Sequence, residues 1–122
     1  MLETASVQTS PDMPIPNSMK AWVLGDPGQL HLIEKPLPVP KRAEVLVRID
    51  AVAICATDLE IIEHGTPALI QGGAPFNKNF TPGHEYMGTI AALGPGVDEY
   101  GIGERVTSTF AKIRAVSAMA RA

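Results

Sequence analysis

Hydrophobic and polar residues alternate in several short segments of the chain, and this alternation predicts β-strands. The clearest case is residues 44–54 (EVLVRIDAVAI), in which Val45, Val47 and Ile49 fall on one face. The continuous apolar run at residues 51–54 predicts that the far end of this strand is buried on both faces. This segment is therefore the predicted centre of the fold.

Four shorter segments show the same strand character: residues 19–24, 30–34, 83–93 and 104–109. The first two flank the turn sequence Gly-Asp-Pro-Gly at residues 25–28, so we predict that they form a hairpin. One segment, residues 57–64 (TDLEIIEH), has the pattern of a short helix. Thr57 is its predicted N-cap, Glu60 completes a capping box and Gly65 follows its last turn.

Long connections separate these elements. Residues 66–81 contain Pro, Gly and Asn, and a loop of this length is usually functional or mobile. Short strands, one helix and turn-rich links together predict a mainly β fold, a small and partly open barrel or sandwich. We place this domain at residues 19–109.

Both ends of the chain differ in character from this domain. Residues 1–18 are polar and Pro-rich without periodicity, which predicts a disordered leader. Residues 110–122 contain good helix formers but neither an acidic residue nor a clear cap. Two hypotheses stay open for this atypical tail: an out-of-frame end of a longer enzyme, or a genuine short protein with a helical tail.

Composition narrows the class of protein. With 122 residues, 45% of them hydrophobic and 19% charged, the chain is long enough for one domain. A net charge of −3 without a Lys/Arg run gives no reason to expect nucleic acid or an anionic membrane as a partner. No apolar stretch approaches the ~20 residues of a membrane span. The single cysteine excludes an internal disulfide and favours a cytoplasmic location.

Candidate chemistry centres on Cys55 and His84. Cys55 lies between a predicted strand and a helix N-terminus. The partial positive charge of a helix N-terminus lowers the pKa of a nearby thiol, and the resulting thiolate is a good zinc ligand. The alternative is a small buried hydrophobe. His84 follows the long loop and could bind a metal, although an ordinary core or surface histidine is the alternative. A Cys and a His 29 positions apart are a weak signal by themselves.

Three neighbouring residues would complete such a site. The carboxylate of Asp58 is suited to hold His84, because a metal-bound histidine usually donates its other N–H to a carboxylate. Glu85 could approach the metal from behind, and the hydroxyl of Thr57 could pass a proton. Spacing alone shows none of these contacts.

Ordered motifs strengthen the hypothesis. Residues 19–109 resemble the N-terminal, GroES-like catalytic domain of the zinc-dependent, medium-chain alcohol dehydrogenases. The family pattern G-H-E-x-x-G-x5-G-x-x-V is present as Gly83, His84, Glu85, Gly88, Gly94 and Val97. A C-x-T-D element is present as Cys55, Thr57 and Asp58, and a G-[DE]-R-V element as Gly103, Glu104, Arg105 and Val106.

The resemblance implies a GroES-like, partly open β-barrel and a role for each site residue. Cys55 and His84 would bind catalytic zinc, Thr57 would relay the proton, and Asp58 and Glu85 would lie behind the ligands, with Glu85 near the metal. Zinc would act as a Lewis acid while an alcohol is oxidised to an aldehyde or ketone and hydride passes to NAD(P)+. The implied partners are a small alcohol or carbonyl substrate and, as is usual in the family, further copies of the enzyme.

Three parts of the family pattern are not found. No Gly-x-Gly-x-x-Gly occurs, so no Rossmann domain and no cofactor-binding residue is predicted. A third zinc ligand and the four-cysteine lobe of many members are also missing. We therefore expect the chain alone to be inactive.

The alternative functions are those of a non-enzymatic fragment that binds metal weakly, or of an inert or interacting barrel. A co-chaperonin role is disfavoured, because a chaperonin cap needs no Cys/His/Asp/Glu set.

Overall fold

The computed structural model describes residues 6–65 and 81–107, together with the backbone of residues 115–120. Its elements in chain order are β1 (Gln8–Thr9), β2 (Ser18–Leu24), β3 (Leu30–Pro36), β4 (Val45–Ala53), α1 (Ala56–His64), β5 (Glu85–Leu93), β6 (Arg105–Thr107) and β7 (Ala115–Ala120). The predicted mainly β fold with one short helix is confirmed. In the described part of the chain, the strands do not close into a barrel, and no helix there is both long and apolar enough to cross a membrane.

The central feature is the antiparallel pair of β4 and β5. Its register runs from Val45 opposite Leu93 to Ala53 opposite Glu85, with irregularities after Leu46 and after Ile49. β1 and β6 pair with β5, and β7 pairs with the other side of β4, so the sheet order is β1-β5-β4-β7. The strongest alternating pattern in the sequence therefore does form the middle of the sheet.

The core occupies both faces of this pair, because successive side chains of a strand point to opposite sides. One face carries a buried cluster of Val45, Val47, Ile90 and Leu93. The other carries Leu46, Ala91 and Ala92, all at most 1% exposed. The prediction of burial at residues 51–54 is wrong: Val52 and Ile54 are 49% and 55% exposed. Beyond the irregularity at Ile49, β4 borders an open cleft, and the side chains of Val52 and Ile54 line it.

The N-terminal segment differs from the predicted disordered leader over residues 6–17. Gln8 and Thr9 pair with the end of β5. Val7, Met13 and Ile15 pack on the second face of the sheet. Because single apolar side chains among prolines make these contacts, the segment has no periodicity from which order could be predicted. Residues 1–5 lie outside the described residues.

The hairpin of β2 and β3 forms as predicted, in register from Ser18 opposite Pro36 to Leu24 opposite Leu30. Its turn holds α1 in place, since the N–H of Gly28 donates to the carbonyl of Ile62 over 2.6 Å.

The helix begins earlier than predicted. Cys55, rather than Thr57, is the N-cap, and Asp58, rather than Glu60, makes the capping-box contact. The carboxylate of Asp58 reaches the N–H of Cys55, which decides the position of the cap. Gly65 ends the helix as predicted, with φ of 82° and an N–H that donates to Ile61.

The remaining predictions concern the C-terminal half. Two predicted strands, 83–93 and 104–109, begin one or two residues later, as β5 and β6. The predicted loop lies outside the described residues except for Thr81. In the tail, residues 115–120 form a parallel strand beside β4 instead of a helix. Pairing with β4 outweighs the helix propensity of these residues.

Candidate metal centre

Asp58 is the buried centre of the site. Its Oδ2 accepts the N–H of Cys55 at 3.0 Å, and its Oδ1 accepts the N–H of Gly83, also at 3.0 Å. The same Oδ1 lies 3.2 Å from Nδ1 of His84. Only 1% of Asp58 is exposed. One carboxylate therefore joins the N-terminus of α1 to the segment that enters β5.

Local backbone geometry brings these groups together. Asp58 lies in the first turn of α1, where a carboxylate can reach back to the N-cap. Gly83 has φ of 101°, and a Cβ added there would lie 2.8 Å from Cγ2 of Val52. A glycine is therefore required for the backbone to turn its N–H toward Asp58 and to place His84 beside it.

The hydrogen bonds set the charge of Asp58. Burial by itself raises the pKa of this carboxyl, but the N–H groups of Cys55 and Gly83 lower it, helped by the Cys55 and His84 side chains. The net effect is a pKa below the ordinary value, so Asp58 is ionised at neutral pH. Since a carboxylate can only accept, the hydrogen shared with the neutral imidazole belongs to Nδ1. A metal ligand must be the neutral imidazole, and in that form the lone pair of His84 is then on Nε2.

Nε2 of His84 faces the thiol of Cys55. The distance from Sγ to Nε2 is 3.6 Å. With zinc bonds of about 2.3 Å to sulfur and 2.0–2.1 Å to nitrogen, a tetrahedral ion would separate two such ligands by about 3.6 Å. Ligand atoms of Cys55, Asp58 and His84 all lie within 4.8 Å of one another. A thiolate and an imidazole are also the donors that zinc prefers, so the residues present fit this metal.

Glu85 and Thr57 lie at the edge of this cluster. Oε1 of Glu85 is 4.0 Å from Nε2 of His84, and the Glu85 side chain is 52% exposed. Thr57 is exposed in the first turn of α1, two residues after Cys55. The structure therefore brings Cys55, Asp58 and His84 into contact and leaves Glu85 and Thr57 nearby. The roles of all five residues stay predictions.

Sequence reasoning missed one participant, the backbone N–H of Gly83. It is one of two main-chain donors to Asp58. The sequence carried a possible signal, because Pro82-Gly83 directly before a candidate ligand indicates an unusual backbone turn.

The match to known proteins agrees with this geometry. Residues 41–120, more than half of the chain, match the family described as the alcohol dehydrogenase GroES-like domain. The chain belongs to this family. The resemblance found in the sequence motifs is confirmed, and so is the GroES-like fold class.

Two curated relatives of the GroES-like domain show how much of an enzyme the chain represents. A sorbitol dehydrogenase from Bacillus subtilis (strain 168) is 36% identical over 92 residues, which cover 75% of this chain and 25% of the relative. An alcohol dehydrogenase from Cupriavidus necator is 40% identical over 88 residues, or 72% of this chain and 22% of the relative. The chain thus spans about a quarter of the length of the curated relatives it matches.

Solved structures give the same picture. An acetophenone reductase from Geotrichum candidum, solved in complex with NAD, has a TM-score of 0.62 at 32% identity, covering 77% of this chain and 26% of that one. A thermostable alcohol dehydrogenase from Pyrobaculum aerophilum has a TM-score of 0.63 at 28% identity, covering 74% and 26%. The similarity again lies within one part of a larger enzyme.

Proposed function

We propose that this chain is the zinc-binding catalytic domain of an NAD(P)-dependent alcohol dehydrogenase, which interconverts a small alcohol and its aldehyde or ketone. The observation that carries the proposal is the 3.6 Å separation of Cys55 Sγ and His84 Nε2, with Nδ1 of the same imidazole held by buried Asp58. The dehydrogenase names of its relatives support the class of reaction.

Each residue of the site has a part in this proposal. Cys55 and His84 would hold the zinc ion, and Asp58 would fix the tautomer and orientation of the imidazole. Glu85 would place a second carboxylate beside the ion. When bound, zinc supplies Lewis acidity to an alcohol oxygen. The Thr57 hydroxyl would accept the alcohol proton and pass it toward solvent.

The nicotinamide cofactor would be held by none of the residues assigned here. The chain has no Gly-x-Gly-x-x-Gly sequence, and about three quarters of the length of its relatives is unmatched. We propose a cytoplasmic location, since the lone Cys55 must stay reduced to bind zinc. Metal binding without turnover is the second candidate function, and the missing cofactor fingerprint favours it for this chain by itself.

Zinc affinity tests the proposal. The purified chain should bind one zinc ion per molecule in competition with a chromophoric chelator. Cys55→Ser keeps the size of the N-cap side chain but replaces the thiolate, and His84→Ala removes the imidazole. Both should weaken binding by more than about 100-fold, because removing a ligand costs more than removing an outer partner. His31→Ala and His64→Ala, which lie outside the site, are the matched controls.

The result separates the two candidate functions. Absence of zinc binding by the folded wild-type chain would contradict both. One zinc per chain with no change in nicotinamide absorbance, on addition of NAD(P)+ and a series of alcohols, is the result expected of this chain by itself and would establish metal binding without turnover for it. Zinc-dependent NAD(P)H formation would support the dehydrogenase.

A further inference from the structure

A large cleft adjoins the candidate metal centre. Its volume is about 720 Å³, within the range of about 300–1,000 Å³ that small-molecule sites occupy. Some of the residues that line it stand directly before a candidate ligand in the chain: Ile54 precedes Cys55, and Pro82 and Gly83 precede His84. A molecule in this cleft therefore lies next to the residues that would bind zinc.

The part of the lining nearest to the metal centre is apolar and open to solvent. Val52 and Ile54 are 49% and 55% exposed. Tyr86, which also lines the cleft, stands directly opposite Val52 in the β4–β5 pair, so its ring lies on the same face. A Cβ added to Gly83 would come within 2.8 Å of Cγ2 of Val52. The apolar surface thus reaches the glycine whose N–H binds Asp58.

Polar groups are scarce on this surface. The charged side chains of the lining, Lys20 and Lys35, belong to the β2–β3 hairpin, and no described lining residue has a carboxylate or an amide side chain. A ligand with hydroxyl groups along its length would lose water here without gaining hydrogen-bond partners, which weakens binding. A hydrocarbon chain in the same place also loses contact with water, which strengthens binding.

We propose that this cleft takes the apolar body of the substrate, whose reacting group points toward Cys55 and His84. The site would then select an alcohol or carbonyl compound with an extended hydrocarbon part over a polyhydroxylated one. Val52 and Ile54 set this preference and take no part in the chemistry. The inference rests on the proposed function, because a metal ion must hold the polar end of the ligand.

Ligand binding to the metal-loaded chain tests this preference without catalysis. Cobalt(II) replaces zinc, because its visible absorption changes when a further ligand binds to it. The loaded chain is titrated with straight-chain hydroxamates from acetohydroxamate to octanohydroxamate, and with gluconohydroxamate, whose body is hydroxylated. The affinity should rise by about twofold for each added methylene, which corresponds to burying about half of it. Gluconohydroxamate should bind no more tightly than acetohydroxamate.

Variants identify the apolar surface. Val52→Ser and Ile54→Ser should each reduce the increase in affinity per methylene, while acetohydroxamate binds as it does to the wild type. Leu59→Ser is the matched control: Leu59 is also 55% exposed, but it lies in α1 outside the cleft lining, so the increase should persist. Circular dichroism shows whether each variant is folded.

The outcomes separate this inference from the proposed function. A folded wild-type chain that binds neither cobalt nor zinc would contradict both. A loaded chain whose affinity for hydroxamates does not rise with chain length would overturn only the preference for an apolar body. The preference would also be wrong if gluconohydroxamate bound as tightly as octanohydroxamate, or if Leu59→Ser removed the increase as fully as Ile54→Ser.

Discussion

Two aspartates only eight positions apart, Asp50 and Asp58, each organise a cluster of polar side chains. Asp50 lies in β4, where its carboxylate contacts Nε of Arg48 at 3.0 Å and accepts the hydroxyl of Thr89 at 2.7 Å. Asp58 lies in α1 and accepts two backbone N–H groups as well as the imidazole of His84. Both clusters join β4 or its extension to β5, but they lead to different chemistry.

The difference lies in whether the partner of the carboxylate still has a lone pair with which it can bind a metal. Arg48 carries a permanent positive charge and has only hydrogen-bond donors, so the Asp50 cluster is an ion pair within β4 with a hydrogen bond from Thr89 of β5. His84 donates from one nitrogen and thereby keeps a lone pair on the other, next to the Cys55 thiol. An aspartate therefore supports a candidate metal centre when it binds the histidine nitrogen that faces away from the metal. A cluster of polar side chains around an aspartate does not by itself support one.

The largest expected effect is on stability. Replacing Asp58 with alanine removes the acceptor of two backbone N–H groups and of the Nδ1–H of His84, all in part-buried hydrogen bonds. At about 1 kcal/mol or more for each such donor, the free energy of unfolding of the zinc-free chain should fall by about 3 kcal/mol. Urea denaturation followed by circular dichroism measures it.

The matched control is Asp50→Ala. The side chain of Asp50 is 26% exposed, and water can replace the contacts to the partly exposed Arg48. The loss should therefore be about 1 kcal/mol or less. Equal losses in the two variants would mean that the hydrogen bonds of Asp58 contribute no more than the contacts of Asp50 with Arg48 and Thr89.

A smaller effect is expected on zinc affinity. Asp58→Asn keeps the size of the side chain but not both acceptor oxygens, so His84 loses its fixed tautomer. Zinc binding should weaken by about 10–100-fold, the range typical of outer partners of a metal-bound histidine. The same chelator competition measures it, after circular dichroism has shown that the variant is folded.

Here too Asp50 provides the comparison. Asp50→Asn leaves Cys55, Asp58 and His84 untouched and should bind zinc with wild-type affinity. If the two variants weaken zinc equally, the positioning role of Asp58 is wrong and the general loss of negative charge explains both.

Much of the fold was predictable, because its strands depend on local patterns. The alternation of Val45, Val47 and Ile49 is enough to locate β4, and the Gly-Asp-Pro-Gly turn is enough to locate the hairpin. The order of residues 6–17 could not be predicted, because it depends on a few side chains such as Met13 meeting a distant sheet face. The exposure of Ile54 was missed for the related reason that an apolar run does not reveal whether a neighbour covers it.

The candidate site was predictable as a set of residues and not as a geometry. Motif order singled out Cys55, Asp58 and His84, but the cap position followed from a contact that the sequence does not show. Thr57 and Glu60 match the capping-box pattern. The cap nevertheless forms at Cys55, because the carboxylate of Asp58 accepts the N–H of Cys55 and also that of Gly83. Long-range hydrogen bonds thus override a local signal where the site is assembled.

The smallest effect is expected in the pH dependence of stability, measured on protein freed of zinc with a chelator. The pKa of Asp58 is lowered in the folded chain, whereas an unfolded aspartate titrates near a pH of about 3.9. The folded state therefore binds fewer protons than the unfolded state between these two pKa values. The stability that ionised Asp58 contributes is fully present above pH ~3.9 and is lost as the pH falls through the folded pKa.

Urea denaturation at a series of pH values below neutrality tests this sign. The gap in free energy of unfolding between wild type and Asp58→Asn should be constant near neutrality and should shrink in acid, because asparagine does not titrate. Asp50→Asn retains Asp58 and should keep the wild-type acid slope from that residue. A gap that stays constant down to the lowest pH at which the chain is folded would show that the hydrogen bonds to Asp58 do not favour its ionised form, and the assignment of the Nδ1–H tautomer to His84 would lose its basis.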